Sequence, residues 1–146
     1  MRKMAKAFYR VAAVLFLLFA AGHTAGFLTF RPESAEALAV LEGMKRVQFD
    51  FGGASATWMG FYTGFGLFVS GYLLFSAFLA WFLSNAKEIE IDMARTLAWG
   101  LVALQVVNIG LCVRYFGPVQ AVFATACAAS LGLAALRTRP ESVPAR

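Results

Sequence analysis

Charge is scarce in this chain of 146 residues: Asp, Glu, Lys and Arg make up 14% of it. Hydrophobic residues make up 60%, well above the roughly 45–50% of soluble domains. Water is therefore excluded as the solvent for most of the sequence. Histidine occurs once, too few for a two-histidine haem or a histidine-based zinc centre. The two cysteines, Cys112 and Cys127, have neither metal-pair spacing nor the look of a disulfide framework. On the two arms of a helical hairpin they stand about six residues, roughly 9 Å, apart in depth, beyond the reach of a disulfide. A phosphate-binding glycine loop beside a lysine, HExxH, a nucleophile elbow and CxxCH are all missing. The sequence thus calls for no cofactor and no metal. Its length is also small for a transporter built from repeats.

Long apolar runs are what the chain does have. Four of them, at about 8–30, 57–83, 94–116 and 118–136, each meet the roughly 20 residues that a membrane-spanning helix needs. Trp58 and Trp81 flank the second at the spacing of two interfacial aromatic belts. Gly117-Pro118 closes the third and restarts the chain as the fourth, with proline at a first-turn position. With little left over for an extramembrane module, residues 1–146 read as one integral membrane domain. A basic start, an apolar core and small Ala20 and Gly22 also fit a signal peptide cleaved before His23. Phe27, Leu28 and Phe30 extend the apolar run past that point, which favours an uncleaved span.

The net charge of +5 sits at the ends of these runs rather than on an aromatic-interleaved patch, so it marks topology and not nucleic acid. Arg2, Lys3, Lys6, Arg10, Lys87, Arg95, Arg137, Arg139 and Arg146 fall on one side; Arg31, Lys45, Arg46 and Arg114 fall on the other. The richer side is expected to be cytoplasmic, with both termini there.

Between spans one and two, Ala37, Leu38, Val40, Leu41, Met44 and Val47 share one arc of a helix over 35–47, with Glu36, Glu42 and Arg46 opposite. This predicts a short amphipathic interfacial helix, N-capped by Ser34, its carboxylates solvated. Phe49-Asp50-Phe51-Gly52-Gly53 reads as the turn into the second span. The expected fold is all-α: a transmembrane four-helix bundle with that interfacial helix. Small-residue stripes at Gly22/Gly26, Gly60/Gly64/Gly71 and Ala124/Ala128/Gly132 are expected to bring helices together, within the chain or against a second copy or membrane partner.

The strongly polar groups inside the spans cluster toward the outer face. Ionisable groups in a membrane are costly and point to function by default, which singles out His23. Tyr62 and Thr24 lie at similar depth; Gln105 and Asn108 share a helix face; Arg114 and Gln120 mark the outer boundary. Each has a plain alternative: His23 bonded to a carbonyl or to Tyr62 locks two helices, the amides bond helix to helix, and Arg114 snorkels to headgroups. Taken together, His23, Thr24, Tyr62, Gln105, Asn108 and Arg114 suggest an outward-opening pocket beneath the interfacial helix.

Gly22-His23-Thr24-Ala25-Gly26, Met44-Lys45, Phe49-Asp50, Thr57-Trp58, Gly64-Phe65-Gly66-Leu67 and Arg114-Tyr115-Phe116 together resemble an uncharacterised family of small bacterial four-span membrane proteins. The resemblance implies a bacterial inner-membrane protein and transfers no catalytic residue. From the residues, the leading expectation is non-catalytic binding of a lipid-like ligand or membrane partner, with membrane lipids as surroundings. A small enzyme acting on a lipid or isoprenoid, with His23 as acid or base and Asn108 or Tyr62 orienting the substrate, is the second reading. An assembly subunit of a larger complex is the third. The missing Asp, Glu or Lys within the spans favours binding. Cysteines placed at positions 23, 62, 108 and 114, in a chain with its own cysteines replaced, are expected to react with a membrane-impermeant label from outside. Complete protection of all four would count against an outer pocket.

Overall fold

The computed structural model describes residues 3–87 and 91–138; Arg2, Arg139 and Arg146 of the basic tally lie outside them. Four long helices carry the chain: α1 (Lys3–Thr29), α3 (Trp58–Leu83), α4 (Ile91–Leu111) and α5 (Pro118–Arg137), with a short α2 (Ala35–Arg46) after α1. A hairpin of β1 (Gln48–Phe51) and β2 (Ala54–Thr57) precedes α3. The four long helices, α4 counted with the turn that extends it to Phe116, are each long and apolar enough to cross a membrane. Their outward surfaces are equally apolar, Phe68 being 76% exposed and Val106 and Val122 also bare. The fold is all-α, as the long apolar runs lead one to expect, and compatible with a membrane protein.

Two compact units divide the chain. The first holds residues 1–19 and 73–146, so all four long helices contribute to one bundle. Its buried positions follow a seven-residue repeat on every helix: Ala5, Tyr9, Ala12, Phe16 and Phe19 on α1; Leu73, Ser76, Ala80 and Leu83 on α3; Ile91, Ala94, Ala98, Leu101 and Gln105 on α4; Ala124, Cys127, Leu131 and Ala134 on α5. Alternating steps of three and four keep one seam facing the neighbours, the pattern of left-handed helix packing. Alanine dominates because lipid is as apolar as leucine, so helices gain by close approach rather than by leaving their solvent. α4 and α5, whose seams are rich in alanine, form the closest helix pair.

Polar clasps hold the ends. Tyr9 Oη and Thr138 Oγ1 lie 3.1 Å apart, both buried, which ties the start of α1 to the end of α5. The Arg10 guanidinium lies over Trp81 at 5.4 Å and that of Arg137 over Phe8 at 5.0 Å. These cation–π contacts are worth roughly 0.5–1 kcal/mol each when exposed, and they account for a cation at the start of an apolar run. Phe19 stacks on Phe123 at 5.5 Å.

The expected glycine stripes do not carry this packing. A Cβ added at Gly22, Gly26, Gly64, Gly71 or Gly132 would meet nothing within 4 Å, and one at Gly60 would meet only Thr57 Oγ1, at 3.3 Å. Of the third stripe, Ala124 alone lies on the α5 seam, with Ala128 and Gly132 half-buried beside it. Alanine takes the seam because it permits close approach without the helix penalty of glycine, about 1 kcal/mol per residue.

The second unit, residues 20–72, holds the rest of α1, then α2, the hairpin and the start of α3. The Ser34 side chain accepts from the Ala37 N–H at 3.2 Å, as an N-cap should. Glu42 is paired rather than simply solvated: Lys45 Nζ donates to it at 2.8 Å, on an exposed face where such a pair adds little. Of the apolar arc, Ala37, Leu41 and Met44 are half-buried while Leu38, Val40 and Val47 stay exposed.

The expected turn proves to be the centre of a β-hairpin in which Gln48 pairs with Thr57 and Phe51 with Ala54. Gly52 and Gly53, at φ 63° and 85°, supply the two positive φ angles of a type I′ turn. Asp50 Oδ1 accepts from the Gly53 N–H at 2.8 Å. Thr57 then caps α3, accepting from the Gly60 N–H at 3.0 Å.

Gly66 is where close approach does matter: a Cβ there would lie 2.7 Å from Phe27 Cε2 and 2.9 Å from two further ring atoms. Gly66→Ala is expected to destabilise the protein by about 1–3 kcal/mol through overpacking. Gly64→Ala, in open space, should be neutral or slightly stabilising. Thermal unfolding in a mild detergent separates the two.

Candidate functional site

The polar residues singled out by sequence fall into two groups, one in each unit. In the second unit α1 and α3 run antiparallel, and His23, Thr24 and, one turn on, Phe27 of α1 meet Gly66, Ser70 and Tyr62. His23 Nε2 lies 3.1 Å from the Gly66 carbonyl. A carbonyl only accepts, so Nε2 carries the proton. Thr24 Oγ1 and Ser70 Oγ are 2.7 Å apart.

Each hydroxyl also approaches the carbonyl one turn back on its own helix, Ala20 for Thr24 at 2.8 Å and Gly66 for Ser70 at 3.1 Å. Two hydroxyls have two protons for three contacts. The Gly66 oxygen already serves His23 and its own helix ladder, so the best use of both protons runs from Ser70 to Thr24 and from Thr24 to Ala20. His23 therefore joins α1 to α3 through a backbone carbonyl and not through Tyr62. Tyr62 instead meets the Phe27 ring edge-on at 6.2 Å, and Phe27 lies 5.2 Å from the His23 ring.

In the first unit α4 carries a ladder along one face. Asn108 Nδ2 donates to Gln105 Oε1 at 3.3 Å, and the Cys112 thiol approaches Asn108 Oδ1 at 3.8 Å. Gln105 is wholly buried on the seam; Asn108 is half-buried. Among the described residues no buried side-chain nitrogen or oxygen lacks a partner.

The helix then widens into a π turn over Cys112–Phe116, closed by the Gly117 N–H on the Cys112 carbonyl at 2.9 Å. Gly117 takes φ 119°, conformational space that favours glycine, and the ring of Pro118 keeps it from continuing the helix. Arg114, inside this turn, is exposed, with its guanidinium 5.2 Å from the Tyr115 ring. Gln120 is half-buried one turn into α5. No sequence spacing announced the π turn.

A cavity of about 540 Å³ opens within the second unit, inside the roughly 300–1,000 Å³ range of small-molecule sites. The end of α1, α2 and the first turns of α3 line it, and it is open on one side. Phe27, Phe30, Leu41, Met44 and Met59 give it an apolar wall, Tyr62 and Thr63 add hydroxyls, and Arg31 and Lys45 stand in its lining. Tyr62 is the member of the expected set that lines it; His23 and Thr24 lie on the neighbouring α1–α3 contact, and Gln105, Asn108 and Arg114 belong to the other unit. Sequence reasoning took Arg31 and Lys45 for topology signals only, and their place beside an apolar arc on α2 was the available hint of more.

No protein-family model, curated protein or solved structure matches the chain. The fold is that of a helical protein with four helices apolar enough to cross a membrane and, in its smaller unit, a half-open and mostly apolar cavity.

The hydroxyl link is expected to behave as a modest helix lock. In a Thr24→Val/Ser70→Ala double-mutant cycle the coupling should be about 0.6 kcal/mol, the average for membrane hydrogen bonds. Denaturant unfolding in mixed micelles measures it, and a coupling near zero would remove the link from the packing of this unit.

Proposed function

We propose that the protein is a non-catalytic inner-membrane protein of a bacterium, with both termini cytoplasmic, that binds a lipid-like molecule in its outward half. The single observation that carries this reading is the apolar cavity beneath α2, walled by Phe27, Leu41 and Met44 and edged by Tyr62 and Thr63. A mostly apolar concavity with a few convergent polar groups is the usual form of a small-molecule site. An amphiphile fits it better than a polar metabolite does, because its surroundings already hold such molecules at high concentration.

His23 supports binding rather than acid–base work. Its Nε2 proton is committed to the Gly66 carbonyl at 3.1 Å, and the contact leaves the ring as part of the α1–α3 scaffold beside the cavity. The Gln105–Asn108–Cys112 ladder supports the same division, since Asn108 spends its polar atoms on its own helix, on Gln105 and Cys112.

Native mass spectrometry of the full chain from a mild detergent is expected to find one retained amphiphile per molecule. Ala37→Trp, which projects an indole from the cavity wall, should abolish retention while circular dichroism shows the helices intact. A chain that retains nothing, or a variant that retains as much as the parent, would overturn the reading.

A further inference from the structure

We infer that the cavity selects an anionic amphiphile, with the headgroup held by Arg31, an inference that rests on the lipid-binding reading above. The lining carries two cations, Arg31 and Lys45, and no carboxylate. The two are not equivalent. Lys45 Nζ is 2.8 Å from Glu42 Oε1, so its charge is largely answered within α2. Arg31 forms no ion pair, hydrogen bond or ring contact among the described residues, and it is exposed.

It stands two residues beyond the end of α1, and the following Pro32 is half-buried and also lines the cavity. Proline fixes its own φ and restricts the residue before it to extended backbone, so the Arg31 backbone is held at the cavity edge. A guanidinium presents paired N–H donors matched to phosphate or carboxylate oxygens. An apolar chain lying against Phe27, Leu41 and Met44 would bring its polar end to this cation and to the Tyr62 and Thr63 hydroxyls. A neutral headgroup would leave the guanidinium with water alone, so the discrimination is by charge and not by chain.

The test compares oleyl phosphate with oleyl alcohol, which share a chain and differ in the head, on the full-length protein in a neutral detergent by native mass spectrometry. Oleyl phosphate should bind about tenfold more tightly, the scale of one charge-assisted contact. Arg31→Gln should bring the ratio near one, and Arg31→Lys should restore most of it. Glu42→Gln, which frees Lys45, should raise it. Equal binding of the two probes to the parent chain, or a ratio unmoved by both Arg31→Gln and Glu42→Gln, would overturn the headgroup assignment while leaving lipid binding in place. Failure of both probes to bind at one per chain would overturn lipid binding as well.

Discussion

Close approach of helices through alanine is the constraint on which the larger unit depends. In water a bundle is driven together by the removal of apolar surface from its solvent; in lipid that term nearly vanishes, and contact, hydrogen bonds and shape must hold the helices. The seven-residue repeat of Ala12, Ala80, Ala94, Ala98, Ala124 and Ala134 gives four smooth seams. The few polar side chains on or beside those seams, Tyr9, Ser76, Gln105 and Thr138, are buried where a lost hydrogen bond would cost most. Large aromatics are left for the outside: Phe75, Phe78 and Phe82 follow one another on the surface of α3 with ring centroids 6.3 and 6.2 Å apart.

Much of this architecture was legible because membrane chemistry writes in long runs. Helix boundaries, the Ser34 cap and the Gly117-Pro118 break follow from residues with strong local preferences, and each appears close to its expected place. The packing faces did not follow. A stripe of small residues states that a face can be approached and not that anything approaches it. Glycines drew attention for their size, whereas the bundle uses alanine, which is common enough in the sequence to pass unnoticed. The hairpin was hidden for a different reason: Ala54-Ser55-Ala56-Thr57 has little strand preference, and only pairing with Gln48–Phe51 makes it a strand.

The polar residues show where sequence reasoning loses its grip on a site. His23 stood out as the sole histidine, yet its partner is the carbonyl of Gly66, and a backbone acceptor has no signature in the sequence. Gly66 is itself required twice, for its carbonyl and for the absence of a Cβ beneath Phe27. Arg31 was visible and took the commoner meaning of a cation at a membrane edge. Its second meaning needs the cavity beside it, and that cavity lies between the end of α1, α2 and the first turns of α3.

The two units differ in how complete their interiors are. The larger unit has seams buried on all four helices, whereas within residues 20–72 only Ala20 and Ser70 are buried. The smaller unit is thus held by the His23 and Thr24 contacts, the aromatic group of Phe49, Trp58 and Phe61 and short-range caps. Regions with few buried contacts open at the low end of a protein's stability range. A molecule filling the cavity would supply the contacts that the chain itself omits, and by mass action it would stabilise the folded state by about 2.7 kcal/mol at a hundredfold excess over its dissociation constant. On the proposed reading, the sparse interior of this unit and its ligand have one physical explanation: a bound molecule would complete what the unit's own residues leave open.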